Sequence, residues 1–367
     1  FAYRDGLGFQ FRDALTLGRP WLTSIAARRD PLGGFWEASV RAPFYTDLQR
    51  DAWYVGARQV RAFVPFRRAG QQTVLVDAER LQWMASFGHR IGTPRRSGIG
   101  GLLLEGEDVK AAENAVVATD SGAVPYTGGE LRGRYPGFTT VRGGVALGLR
   151  YLDFRPVRGF DAITGRQDVA NGVQLSARIT RSLLGEEGVE RDLLVGTSLY
   201  AGRGTDRSLT AVQLDVEGRR ERGAEEWDGI VGSGRAAWYQ RATSRWLHSL
   251  SIEGSGGWRT RVPYQLSAGD LHGGLRGYLD TQVGGARRVV VRLEERLRLP
   301  SIRDRADVAV ALFSDAGKLW AGSVPFGVTT PFIASAGASL LLAAPVGTAR
   351  TLRVDVGVPL VSLPGVR

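Results

Sequence analysis

Polar and apolar positions alternate along nearly the whole chain. Thr351, Arg353, Asp355 and Gly357 interleave with Leu352, Val354, Val356 and Val358, and Gln213, Asp215, Glu217 and Arg219 interleave with Val212, Leu214 and Val216. The same rhythm runs through Gln174, Ser176 and Arg178 against Val173, Leu175, Ala177 and Ile179, and through Glu37, Ser39 and Arg41 against Trp36, Ala38, Val40 and Ala42. A period of two is the mark of a strand with one face in an apolar medium and the other in water. The pattern predicts about sixteen strands, near 6–18, 21–29, 35–43, 52–62, 73–87, 98–108, 139–153, 172–181, 192–203, 209–220, 228–240, 245–258, 287–299, 307–320, 332–343 and 350–359. Long loops are expected at 109–138 and 259–286.

A soluble β-sandwich alternates too, so strand length decides the medium. Strands in soluble folds run to about five or six residues, whereas a tilted strand needs roughly nine to eleven to cross a bilayer. Many of the predicted strands have the longer span. An open sheet in lipid would leave its edge N–H and C=O groups without partners, so closure is required. The expected fold class is all-β, a transmembrane antiparallel β-barrel with a polar interior, occupying 1–367 as a single outer-membrane domain with a strand truncated at its ends. Trp21, Trp36, Trp53, Trp83, Trp238, Trp246, Trp258 and Trp320 fall at or near expected strand ends, where aromatic girdles sit. The uncharged stretch from Ala321 to Ala349 could suggest a membrane helix, but Pro325, Pro331 and Pro345 interrupt it and Phe332–Leu342 has period two. It reads as a turn followed by a strand.

Composition narrows the chemistry. The 367 residues include 50 glycines and no cysteine, which excludes disulfides, thiolate metal sites and thiol nucleophiles. The formal charge of +11 is carried almost wholly by arginine, since Lys110 and Lys318 are the only lysines. The arginines recur singly within alternating segments, as at Arg292, Arg296 and Arg298, which suits a hydrated lumen better than a nucleic-acid patch. His89, His248 and His272 have no second ligand at metal spacing and are expected at rims or in loops. There is no G-x-S-x-G elbow, and Ser233 and Ser255 lie in Gly-Ser-Gly triplets inside strands. The chain is therefore expected to be no enzyme and to need neither cofactor nor metal.

Residues 266–320 carry three further elements in order: Leu275-Arg276-Gly277-Tyr278 after two glycines, Arg292-Leu293-Glu294, and Phe313-Ser314-Asp315-Ala316-Gly317. Together they resemble the (V/L)RG(F/Y) loop, the glutamate-bearing strand and the F-x-D-x-G strand of the BamA/TamA superfamily of outer-membrane assembly and translocation barrels. The resemblance implies a loop folded into the lumen and latched there by Leu275, Arg276, Gly277, Tyr278, Glu294, Asp315 and Gly317, with Arg276 forked between Glu294 and Asp315. It implies a bacterial outer-membrane location, a barrel that assembles or translocates proteins through a lateral seam, and as partners outer-membrane lipid, client proteins and other cell-envelope subunits, with no nucleic acid. The alternative is a passive pore or a structural barrel anchoring a larger envelope complex. Parity agrees on its own account: Val289, Val291, Leu293, Leu297 and Leu299 form one face, so Glu294 lies with Arg292, Arg296 and Arg298 on the lumenal face, and Asp315 falls on the lumenal parity of the next strand. A second string, Val157-Arg158-Gly159-Phe160, has no F-x-D-x-G strand downstream and reads as a turn after a mid-barrel strand.

Overall fold

The computed structural model describes residues 6–44, 49–119, 122–183, 191–269, 273–279 and 281–364. Its strands in chain order are β1 (Leu7–Asp13), β2 (Leu22–Asp30), β3 (Gly33–Ala42), β4 (Asp51–Arg68), β5 (Gln71–Gly92), β6 (Arg96–Val109), β7 (Ala115–Thr119), β8 (Gly122–Pro125), β9 (Phe138–Arg158), β10 (Arg166–Ser182), β11 (Asp192–Gly204), β12 (Ser208–Glu221), β13 (Asp228–Arg241), β14 (Trp246–Trp258), β15 (Leu266–Ser267), β16 (Gly284–Gly285), β17 (Arg287–Arg298), β18 (Asp307–Trp320), β19 (Ile333–Ala343) and β20 (Leu352–Pro359). No helix among the described residues is long and apolar enough to cross a membrane.

Eighteen strands belong to one sheet. Without the β7–β8 hairpin, which joins the far end of β5, sixteen strands remain. They form an unbroken antiparallel meander in which each strand pairs with the next one along. All sixteen expected strands are present. Several are longer than expected, β5 and β9 reaching 22 and 21 residues. The expected loop at 109–138 is corrected in part, because it contains β7 and β8.

Contacts between distant parts of the meander show that the sheet is rolled. The Phe66 ring at the end of β4 meets Phe326 from the β18–β19 connection at 6.5 Å. The Arg67 backbone N–H donates to Gln265 Oε1 at 2.7 Å. From the opposite rim, Ile163 in the β9–β10 turn packs on Ala309, Ala311, Leu341 and Ala343. The β1 and β20 edges share no backbone pairing among the described residues.

The two faces differ as an apolar solvent outside requires. On β14, β17 and β18 the outward pairs are Ile252 with Val291, Leu250 with Leu293, and Leu297 with Val310. Leu312 and Val356 are each 67% exposed, while Asp315 on the inner face is fully buried. A sheet that bares leucine and valine outside and buries carboxylates inside is inverted relative to a soluble barrel, and lipid is the medium that stabilises it. Trp246 and Trp258 stand exposed at opposite ends of β14, where girdles belong. Trp83 is a correction: it lies well inside β5, with its indole over Gly106.

The longest connections, 110–137, 259–286 and 321–332, open on one rim, here the latch rim. On the other rim the turns at 93–95, 205–207 and 242–245 are tight.

Candidate functional site

After Trp258 the chain leaves the wall and returns at Arg287, its two legs tied by the short ladder of Leu266 with Gly285 and Ser267 with Gly284. Between the legs the tip descends onto the inner faces of β17 to β20. Arg288 supports it from the wall by donating to the Ser267 carbonyl at 2.5 Å, and Arg292 by donating to the Gly274 carbonyl at 2.7 Å.

The residues singled out from sequence meet at this tip. Arg276 donates through Nε to Asp315 Oδ2 at 2.8 Å and through Nη2 to Asp315 Oδ1 at 2.6 Å, and its backbone N–H adds a third bond to Oδ2 at 3.2 Å. Nη1 points at Glu294 Oε2, 3.5 Å away, and lies 3.9 Å from Asp355 Oδ2. The guanidinium also lies over the Phe313 ring, 3.4 Å from its centroid. A planar fork on a carboxylate is the strongest pairing an arginine makes, and stacking leaves that plane free to bond.

Arg276 thus reaches both of the expected carboxylates, but unequally. Both strong bonds go to Asp315. Glu294 is held mainly by Arg353 Nη2 at 2.6 Å and Arg296 Nη2 at 3.0 Å. Asp315 is fully buried and Glu294 nearly so, so each has shed most of its water and each has found a cation in exchange. Arg353 and Asp355 were legible as lumenal by parity, but nothing in the sequence linked β20 to the loop.

The small residues make room. A side chain at Gly317 would place its Cβ 2.9 Å from Leu275 Cδ1 and 2.7 Å from the Val289 carbonyl oxygen, so glycine there is what lets Leu275 reach the wall. Gly277 has φ +86°, the left-handed region, and a Cβ added there would meet the Gly357 carbonyl and the Pro359 nitrogen of β20 at 3.3 Å. That turn aims Tyr278 away from Arg276. The Tyr278 hydroxyl lies 2.9 Å from the Ala334 carbonyl oxygen and 2.8 Å from the Val361 carbonyl oxygen, and it accepts from the Val361 N–H at 3.2 Å. Gln282 donates its N–H to the Pro364 carbonyl at 2.9 Å, and Leu363 joins Leu275, Tyr278 and Val283 in one apolar cluster. The loop thus grips two things, the inner wall through Arg276 and the segment after β20 through Tyr278.

The string at 157–160 ends β9 and opens the β9–β10 turn on the opposite rim. Phe160 is fully buried there, and Arg296 donates to its carbonyl at 2.8 Å. Arg296 therefore touches both this turn and Glu294. Another charged cluster escaped sequence reading: Arg142 forks onto Asp192 with both bonds at 2.6 Å, and Arg219 shares the same carboxylate.

No group of ligands that could hold a metal occurs among the described residues. His89 lies three residues from the end of β5, beside Asp51 at the start of β4, and His248 lies two residues into β14, beside Glu295, so both stand near the rim opposite the latch. His272 lies outside the described residues. Ser233 and Ser255 face each other across β13 and β14, flanked by glycine pairs.

No family model matches the sequence, and no curated protein matches it. Among solved structures the chain is similar to BamA from Haemophilus ducreyi lacking POTRA domains 1–3, at 15% identity and TM-score 0.49 over 98% of this chain and 66% of that one. It is similar to CdiB from Escherichia coli, at 14% identity and TM-score 0.37 over 97% of this chain and 58% of that one. A further likeness is to the alcaligin outer membrane receptor FauA from Bordetella pertussis, at 11% identity and TM-score 0.39 over 98% of this chain and 61% of that one. The chain spans less than two thirds of the length of each.

Proposed function

We propose that this chain is an outer-membrane barrel of the BamA/TamA type that assembles or translocates proteins at the membrane. The observation that carries the reading is the doubly engaged loop, whose Arg276 forks onto Asp315 while Tyr278 clasps Val361 just beyond β20. A loop that only narrowed a channel would need the first contact and not the second. Holding the wall and the segment after β20 together couples the lumenal loop to β20, whose outer edge shares no backbone pairing with β1 among the described residues. An open strand edge offers a row of N–H and C=O groups that can template an incoming strand, main chain to main chain. The work is done by pairing and release of strands, with no covalent intermediate and no cofactor.

The longest connections lie on the latch rim, and in bacterial barrels long loops face outward while short turns face the periplasm. The tight-turn rim is accordingly the one from which clients arrive.

The test is reconstitution into phospholipid vesicles with an unfolded client barrel, following its conversion to the heat-modifiable folded form. Insertion is expected to be faster with the chain than in empty vesicles, and to slow when Tyr278→Phe removes the clasp. Insertion at the spontaneous rate, together with a large steady conductance, would favour a passive pore.

A further inference from the structure

Six guanidinium groups surround one cavity of about 460 Å³ at the rim opposite the latch, between the inturned β9–β10 turn and the ends of β13, β14 and β17. They belong to Arg158, Arg166, Arg241, Arg245, Arg296 and Arg298, and no carboxylate is among the lining residues. Three are committed: Arg241 to the carbonyls of Asp206 and Arg158, Arg296 to the Phe160 carbonyl and Glu294, and Arg298 at 3.8 Å from Asp307. The side chains of Arg158, Arg166 and Arg245 make no hydrogen bond or ion pair among the described residues.

The nearby acids are occupied elsewhere. Asp161 accepts from Tyr239 and Gln167, Asp206 faces Arg155, and Asp307 accepts from Thr164, Ser301 and the Gly347 N–H. Arg158 and Arg166 are moreover directly cross-strand partners in the β9–β10 ladder. Like charges placed opposite each other destabilise a sheet unless something negative comes between them.

We propose that this mouth receives an acidic segment of a polypeptide. The cations form a graded series and not a single cradle: Arg158, Arg166 and Arg245 are exposed, Arg241 and Arg298 half-buried, and Arg296 buried. A ligand that enters carrying successive carboxylates satisfies such a series in turn. A compact anion would not fill the space, since 460 Å³ corresponds to roughly fifteen waters. The inference rests on the proposed function only in placing this rim where polypeptides arrive.

The test uses the whole chain, folded in detergent, and a short fluorescein-labelled peptide alternating aspartate and serine, read by fluorescence anisotropy. Binding is expected for this peptide and not for its asparagine counterpart, weakening as salt rises from about 50 to 300 mM because exposed charges are screened beyond about 10 Å. The triple variant Arg158→Ala/Arg166→Ala/Arg245→Ala should lose more than about tenfold in affinity. Arg303→Ala/Arg305→Ala, exposed on the same rim but outside the cavity, should leave it unchanged. In the free protein Arg166→Ala alone should raise the temperature of the heat-modifiable shift, because it relieves the cross-strand repulsion. Equal binding of the asparagine peptide, equal loss in the control variant, or displacement by inorganic phosphate at matched charge would overturn the proposal. If the peptide fails to bind a chain that still speeds client insertion, this mouth is wrong and the proposed function stands. If the peptide binds a chain that speeds no insertion, the mouth stands and the proposed function is wrong.

Discussion

Arg276 presents its donors in one plane, and the wall answers them unequally. Replacement by alanine leaves Asp315 buried with no cation, while Glu294 keeps Arg353 and Arg296. Removing one partner of a buried pair costs roughly 3–5 kcal/mol, less where water enters a lumen. Arg276→Ala is therefore expected to speed proteolysis within 265–285 and to lower the heat resistance of the folded band. Arg276→Lys should recover only part, because an ammonium cannot fork. The unequal geometry adds a ranking: Asp315→Asn should open the loop to protease more than Glu294→Gln, since Arg276 loses its bidentate partner only in the first. Equal sensitivity of the two variants would contradict the bond pattern. Gly277→Ala tests the turn without touching charge. It forces a Cβ into the left-handed region at a cost on the order of 1 kcal/mol and crowds it against β20, so it should release Tyr278 while leaving the Arg276 fork formed.

The strands of the wall were legible because two solvents of opposite polarity act on alternate residues. Any register slip would put Glu294 or Asp315 into lipid. The β7–β8 hairpin lies beyond the main wall, packed with Phe66, Leu131 and Tyr135 on the projecting end of β4 and β5, so that constraint does not act on it. Val116 and Val117 adjoin one another in β7 without alternation, and 109–138 accordingly reads as a loop. The latch residues are implied by the resemblance of one stretch of chain, 266–320, and parity on its own account places Glu294 and Asp315 in the lumen. The contribution of Arg353 and Asp355 could not be read in either way, since it depends on how far the sheet curls before β20 meets the loop. That meeting gives a prediction for the element as a whole. Tyr278→Phe deletes the hydroxyl that bridges Ala334 and Val361, and amide hydrogen exchange along β20 and the segment after it should quicken by about tenfold per 1.4 kcal/mol lost. Exchange unchanged at Val361 would mean that the clasp is ornamental to β20.

At the scale of the molecule, a barrel with leucine and valine outside should be β-rich, detergent-dependent and slow to unfold in cold detergent, so its electrophoretic mobility should change on boiling. A detergent-independent monomer would remove the membrane reading. The lumen has an internal consequence of its own. The latch loop comes in from one rim and the β9–β10 turn from the other, with Ile163 lodged against Ala309 and Leu341. An ion crossing the barrel meets them one after the other, as electrical resistances wired end to end, where the larger sets the current. Where the two are comparable, loosening the latch by Arg276→Ala should raise single-channel current only part of the way, and so should Ile163→Ala, whereas the two together should raise it by more than the sum of the separate gains. Full conductance from Arg276→Ala alone would show that the far turn offers no resistance.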